Sequence, residues 1–209
     1  MDAIISELIS VIDKQTYCDI KHKLRHPEQY QWTDPKMTKA LDSFRRSGLD
    51  KLLVSWTPIL AGTIPIGISV PGSDLDVICF SKSPKDVPDF ILKYKDKLHP
   101  DLKIESVRYP NKNFNTSLIE MCFEGLPVEV YVDTLPTDQQ NAFRHMLIEA
   151  LLLELRQDLR AEVIRLKNQR LKTEPSFGIA LGLCEKGREN ESYQILLDLL
   201  ARLEYKWTL

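Results

Sequence analysis

Ala61-Gly62-Thr63-Ile64-Pro65-Ile66-Gly67, followed shortly by Gly72-Ser73-Asp74-Leu75-Asp76-Val77, brings a glycine turn and two carboxylates to the start of an apolar run. In that run Leu75, Val77 and Cys79 alternate with Asp76, Ile78 and Phe80, which predicts a strand with two distinct faces. Side chains two apart on a strand share a face, so both carboxylates are expected to project together. Two carboxylates held so close repel each other. Either one stays protonated or a divalent cation lies between them, and hard oxygen donors select magnesium, manganese or calcium. An isolated Asp-x-Asp is also a common solvated strand end, so the pair gains meaning only from its surroundings.

Gly62 lies twelve residues before Asp74, at the end of a short predicted strand over residues 58–61 and ahead of a predicted turn of helix. Glycine there allows close approach of the backbone to a ligand, while the Thr63 hydroxyl and the amides of a helix start donate to phosphate oxygens. Ser73 has the same capacity. Gly62, Thr63 and Ser73 are thus candidate phosphate-binding residues, although Thr63 and Ser73 would equally satisfy turn amides. A metal centre that grips phosphate needs ligands converging from several directions. In Val128-Glu129-Val130-Tyr131-Val132-Asp133 the valines face one way and Glu129, Tyr131 and Asp133 the other. A carboxylate within so apolar a strand is costly to bury alone, so Glu129 is the candidate third ligand and Asp133 the reserve; a water-facing edge glutamate is the alternative.

The order of Gly-Thr, then Asp-Leu-Asp, then a hydrophobic-Glu-hydrophobic strand resembles the DNA polymerase β type of nucleotidyltransferase, especially its small minimal members. The resemblance covers about residues 58–133, and the wider chain is similar to an uncharacterised bacterial family with a nucleotidyltransferase-like core. It implies that Asp74, Asp76 and Glu129 are catalytic and hold two Mg2+ or Mn2+ ions. It also implies transfer of a nucleoside monophosphate from a nucleoside triphosphate to a hydroxyl acceptor, whether RNA, protein or small molecule. Small proteins of this kind often act with a helical protein partner. Thr63 replaces the usual serine and keeps its hydroxyl, and Gly67 falls where minimal members repeat a glycine. Ile66 stands where many carry an arginine, which leaves a non-catalytic nucleotide-binding or protein-interaction module as the alternative.

The 209 residues suffice for a sizeable core, and 43% hydrophobic with 28% charged residues is the composition of a globular protein. A net charge of −2 provides no global attraction for nucleic acid. Cys18, Cys79, Cys122 and Cys184 have no metal-ligand spacing and read as reduced, mostly buried thiols. With neither a secretory signal nor an apolar run of ~18 residues, a cytoplasmic protein with no membrane association is expected. Helices are predicted over residues 2–13, 35–48, 86–98, 139–156, 159–171 and 192–206, and strands over 103–108 and 117–123 about an Asn-rich turn at 111–115. Residues 17–33 show no clear period. The pattern is α+β: a nucleotidyltransferase-like mixed sheet flanked by helices. Residues 1–136 are expected to form the core with its N-terminal helices, and 137–209 a helical C-terminal region. His145 and Glu149 are expected to pair one turn apart, and Arg165, Lys167, Arg170 and Lys172 to form a solvated helix face.

Overall fold

Among the described residues five strands form, β1 (Ile59–Ala61), β2 (Leu75–Phe80), β3 (Leu102–Arg108), β4 (Thr116–Phe123) and β5 (Leu126–Asp133). They make one sheet in the order β1-β2-β5-β4-β3. β2 and β5 run parallel, and every other neighbouring pair is antiparallel. The computed structural model describes residues 2–111, 115–184 and 187–208. Most of the expected turn between β3 and β4, residues 112–114, lies outside them. Asn111 brackets that turn, accepting from the Asn115 amide at 2.9 Å and donating to Thr116 Oγ1 at 3.1 Å. β4 and β5 are joined by Glu124-Gly125 alone, both at positive φ, +50° and +79°, the conformation that matches a two-residue turn to the strand twist.

The strand alternation decides which residues enter the core. Leu75, Val77 and Cys79 of β2, Val128, Val130 and Val132 of β5, and Ile119, Met121 and Phe123 of β4 are all at most 3% exposed. They pack with Met37 and Ala40 of α3 (Pro35–Arg46), Leu49 of α4 (Leu49–Leu52), and Val87 and Ile91 of α5 (Asp86–Lys93). Each such side chain contributes about 1.5–3 kcal/mol on burial, so the opposite parity of each strand is fixed on the other face. α3 starts as its sequence predicts, with Pro35 in the first turn and Asp34 accepting from the Lys36 amide at 2.8 Å. The helix expected over 86–98 is shorter, ending at Lys93 before a separate tight turn at Lys95–Lys97.

The chain divides into two compact units, one of Leu24–Gly67 with Gly72–Phe143, the other of Met1–Lys23, Ile68–Pro71 and Arg144–Leu209. The first contains the sheet. The second is helical and discontinuous in sequence, unlike the contiguous division near residue 136 that the sequence suggests. It contains α1 (Asp2–Val11), most of α2 (Lys14–Arg25) and of α6 (Asn141–Leu155), α7 (Asp158–Asn168), α8 (Thr173–Ala180) and α9 (Ser192–Lys206). The expected first helix breaks at Asp13, whose carboxylate accepts from the Thr16 amide and hydroxyl, both at 2.8 Å, and so caps a second helix.

Chain ends meet in this unit: the Tyr17 hydroxyl donates to Glu204 at 2.6 Å, and the Lys206 ammonium to the Ile9 and Ile12 carbonyls at 2.9 and 3.2 Å. A cation there suits the negative end of α1. No helix among the described residues is long and apolar enough to cross a membrane. Gly178 of α8 has no room for a side chain, since a Cβ would lie 1.9 Å from Ser192 Oγ and 2.8 Å from Ser192 Cβ. Gly178→Ala is therefore expected to lower stability by about 1–3 kcal/mol, read as a lower urea midpoint at unchanged slope. An unaltered midpoint would mean that α9 yields freely at Ser192.

Candidate functional site

Cross-strand register assembles the site within the sheet unit. Asp76 lies opposite Ala61 on one side and Glu129 on the other, Glu129 opposite Glu120, and Glu120 opposite Ser106. Residues opposite one another share a face, on strands about 4.8 Å apart. Asp76, Glu129 and Glu120 thus form a row of carboxylates across three adjacent strands, away from the face packed by α3 to α5. Asp76 and Glu129 are both half-buried. Glu120 accepts from the Ser106 hydroxyl and the Arg108 guanidinium, so its charge is met inside the sheet. Glu120 is a site residue that the sequence analysis did not single out, although its alternation with the buried Ile119 and Met121 puts it on the face of β4 away from the core.

Asp74 and Ser73, both half-buried, precede β2 on the turn from Gly72. Strand alternation therefore places Asp76 alone, and Asp74 sits at the mouth of the strand rather than within it. Gly62, just after β1, has φ +78°, and a Cβ on it would fall 1.9 Å from Asp76 Oδ2 and 3.0 Å from Asp76 Cγ. Its backbone lies directly against that carboxylate, in a conformation L-residues rarely adopt. Close approach was expected here toward a ligand; the neighbour it meets is Asp76.

Thr63, half-buried, follows in a turn over residues 62–67, with the Gly67 amide donating to the Ile64 carbonyl at 3.1 Å. No helix forms after Thr63, in contrast to the expectation. The short spacing between strand and turn is closed by glycines at positive φ, 62 and 67, so the amides around Thr63 are those of a turn. Ile66 is 6% exposed, so the position where an arginine was looked for is a core position in this chain.

Asp133 is placed differently from Glu129. It lies opposite Phe80, four residues and about 13 Å along β5 from Glu129. Its oxygens accept from the Leu135 amide at 3.0 Å, the Thr134 hydroxyl at 3.3 Å and the Tyr131 hydroxyl at 3.1 Å. Burial, then the neighbouring Asp133 charge, pushes the Tyr131 phenol up to about 12, so it stays protonated and donates. The structure therefore brings together Gly62, Asp76 and Glu129, puts Asp74 and Ser73 on the turn leading into β2, and leaves Asp133 at the far end of β5.

This mixed α/β fold, with its five-stranded mixed sheet, is that of the nucleotidyltransferases. Cid1, solved in work on the structural plasticity behind its RNA terminal uridylyl transferase activity, is 13% identical with a TM-score of 0.51, the match covering 80% of this chain and 53% of Cid1. A structure of mtPAP in complex with CTP is 16% identical with a TM-score of 0.49, covering 79% of this chain and 38% of that one. The chain thus spans about half the length of Cid1. Residues 42–199 match the model of a domain of unknown function, DUF4269, and the chain belongs to that family.

Proposed function

We propose that this protein is a metal-dependent nucleotidyltransferase, which moves a nucleoside monophosphate from a nucleoside triphosphate to a hydroxyl acceptor. The observation that carries this reading is the register that sets Asp76 beside Glu129, with the Gly62 backbone packed so closely on Asp76 that no Cβ fits. The donors, all carboxylate oxygens, suit Mg2+ or Mn2+. Asp74 and Asp76 would hold two such ions and Glu129 the one nearer the acceptor. When bound, these ions supply charge stabilisation for the entering and leaving oxygens of an in-line displacement.

The chain's own residues do the positioning. Gly62 holds the Asp76 carboxylate in place, and the Thr63 and Ser73 hydroxyls donate to phosphate oxygens. The acceptor hydroxyl gives up its proton to solvent, and its oxygen forms a bond to the α-phosphorus as the bond to pyrophosphate breaks. Most of the acceleration in such a site comes from orientation and electrostatics. RNA, named in the description of Cid1, heads the acceptor classes to test, with protein and small molecules beside it. We place the activity in the cytoplasm, and a helical protein partner would be found by co-purification.

The test incubates the full chain with each α-labelled nucleoside triphosphate, Mg2+ or Mn2+, and RNA, protein and small-molecule fractions of a cell extract. Label transferred by the wild type and not by an Asp74→Asn/Asp76→Asn variant supports the reading and identifies the acceptor class. Metal-dependent nucleotide binding without transfer to any fraction would favour the second reading, a non-catalytic module, which the buried Ile66 supports.

Asp133→Asn separates the two candidate third ligands. Asparagine keeps an oxygen for the Leu135 amide, so a stability change below about 1 kcal/mol is expected. Transfer should stay close to wild type because Asp133 lies outside the Asp76–Glu129 row. A loss matching that of the double asparagine variant would move the third ligand to Asp133.

A further inference from the structure

A second group of metal-type donors lies wholly within the helical unit, on residues the nucleotidyl-transfer reading does not use. His145 and Glu149 stand one turn apart on α6, and Glu174 is in the first turn of α8. One donor atom from each lies within 4.8 Å of the others. His145 is 7% and Glu149 3% exposed, and His145 Nδ1 and Glu149 Oε1 are both buried with no hydrogen-bond partner. These two atoms are therefore not paired with each other, in contrast to the pairing expected from their spacing one turn apart. Buried polar atoms are normally satisfied, because leaving them dry and unbonded is unfavourable.

We propose that His145, Glu149 and Glu174 form a site for one divalent transition-metal ion of the zinc class, separate from the carboxylates of the sheet, which ties α8 to α6. An imidazole with two carboxylates is a borderline donor set; it suits zinc far better than magnesium, which takes oxygen ligands. Three protein ligands leave a fourth position for water. The Tyr193 ring stands edge-on to His145 with centroids 5.9 Å apart, closing one side of the cluster.

The surrounding charges are mixed. Burial holds Glu149 well above the usual carboxylate range, Glu174 above it, and His145 down to about 4, with the Arg144 charge adding to the last shift. The Lys167 ammonium acts on both carboxyls and Lys172 on Glu174. Lys167 also donates to the Ile68 carbonyl at 2.9 Å, within the same unit. Metal ligands must be deprotonated to bind, so a site built from such buried groups binds its ion in competition with protons.

The full chain, stripped with a chelator, is titrated with ZnCl2 and separately with MgCl2 by calorimetry, and its thermal midpoint is followed in parallel. One zinc ion per chain is expected, with a raised midpoint, and both should persist in the Asp74→Asn/Asp76→Asn variant. Glu174→Gln, at a partly exposed position, should weaken zinc by more than the ~10–100-fold that loss of an outer-shell partner brings. Glu149→Gln, which keeps the shape of the side chain, should do the same. Zinc binding that survives Glu174→Gln but is lost in the double asparagine variant would assign the ion to the sheet and overturn the proposal. So would the absence of stoichiometric zinc binding to the stripped wild type. If Glu149→Gln fails to fold, Glu174→Gln decides alone.

Discussion

Replacing Asp74 and Asp76 together with asparagine is expected to reduce nucleotide transfer by about 10³-fold or more, the scale on which removing charge stabilisation from a transferring group acts. Folding should survive. Asparagine has nearly the same volume, and both positions are only half-buried, so no cavity opens. In the absence of metal the variant should be as stable as the wild type or more so, since two neighbouring carboxylates repel. Mg2+ should raise the wild-type thermal midpoint and leave the variant's unmoved. Glu129→Gln, opposite Asp76, should share the loss of metal response. Transfer within tenfold of wild type in the double variant would remove these carboxylates from the chemistry.

Gly62→Ala should have the second-largest effect, for two separable reasons. The residue is at φ +78°, where an L-side chain costs about 1–2 kcal/mol. For a chain of this size that is roughly 2–8 °C in the thermal midpoint. The new methyl would also occupy the space of Asp76 Oδ2, 1.9 Å away, and the carboxylate must turn or β1 must shift. A displacement of about 1 Å at a reacting centre can cost ~10²-fold in rate. Gly72→Ala is the control: φ is +85°, but nothing lies within 4 Å of the added Cβ. It should show the strain and keep the activity. Equal activity in the two variants would show that the contact of Gly62 with Asp76 does not matter to the site.

The contrast between Glu129 and Asp133 shows where sequence reasoning stops. Both stand at the same phase of β5, so alternation alone assigns them to one face and cannot choose between them. The choice comes from the parallel register of β2 on β5, which sets Glu129 opposite Asp76 and Asp133 opposite Phe80. The antiparallel register of β4 on β5 adds Glu120 to the row. α2 escaped detection because polar and charged residues outnumber apolar ones along it, and its buried anchors, Tyr17 and Leu24, are too few to show a period. Its start was nonetheless written in Asp13, a capping residue three before Thr16.

By itself the sequence determined what local physics controls. The two-residue period of β2, β4 and β5 sorted apolar from acidic side chains, Asp34-Pro35 opened α3, and glycines sat where the backbone needed positive φ. Tertiary structure alone decided what depends on residues distant in the chain. It chose the partner strand that selects Glu129 and the helix that carries Glu174 to His145 and Glu149. It also grouped α1 with α9, whose apolar stripes specify burial but not a partner. A period tells a side chain which way to face; only the packing of whole elements tells it what it will face.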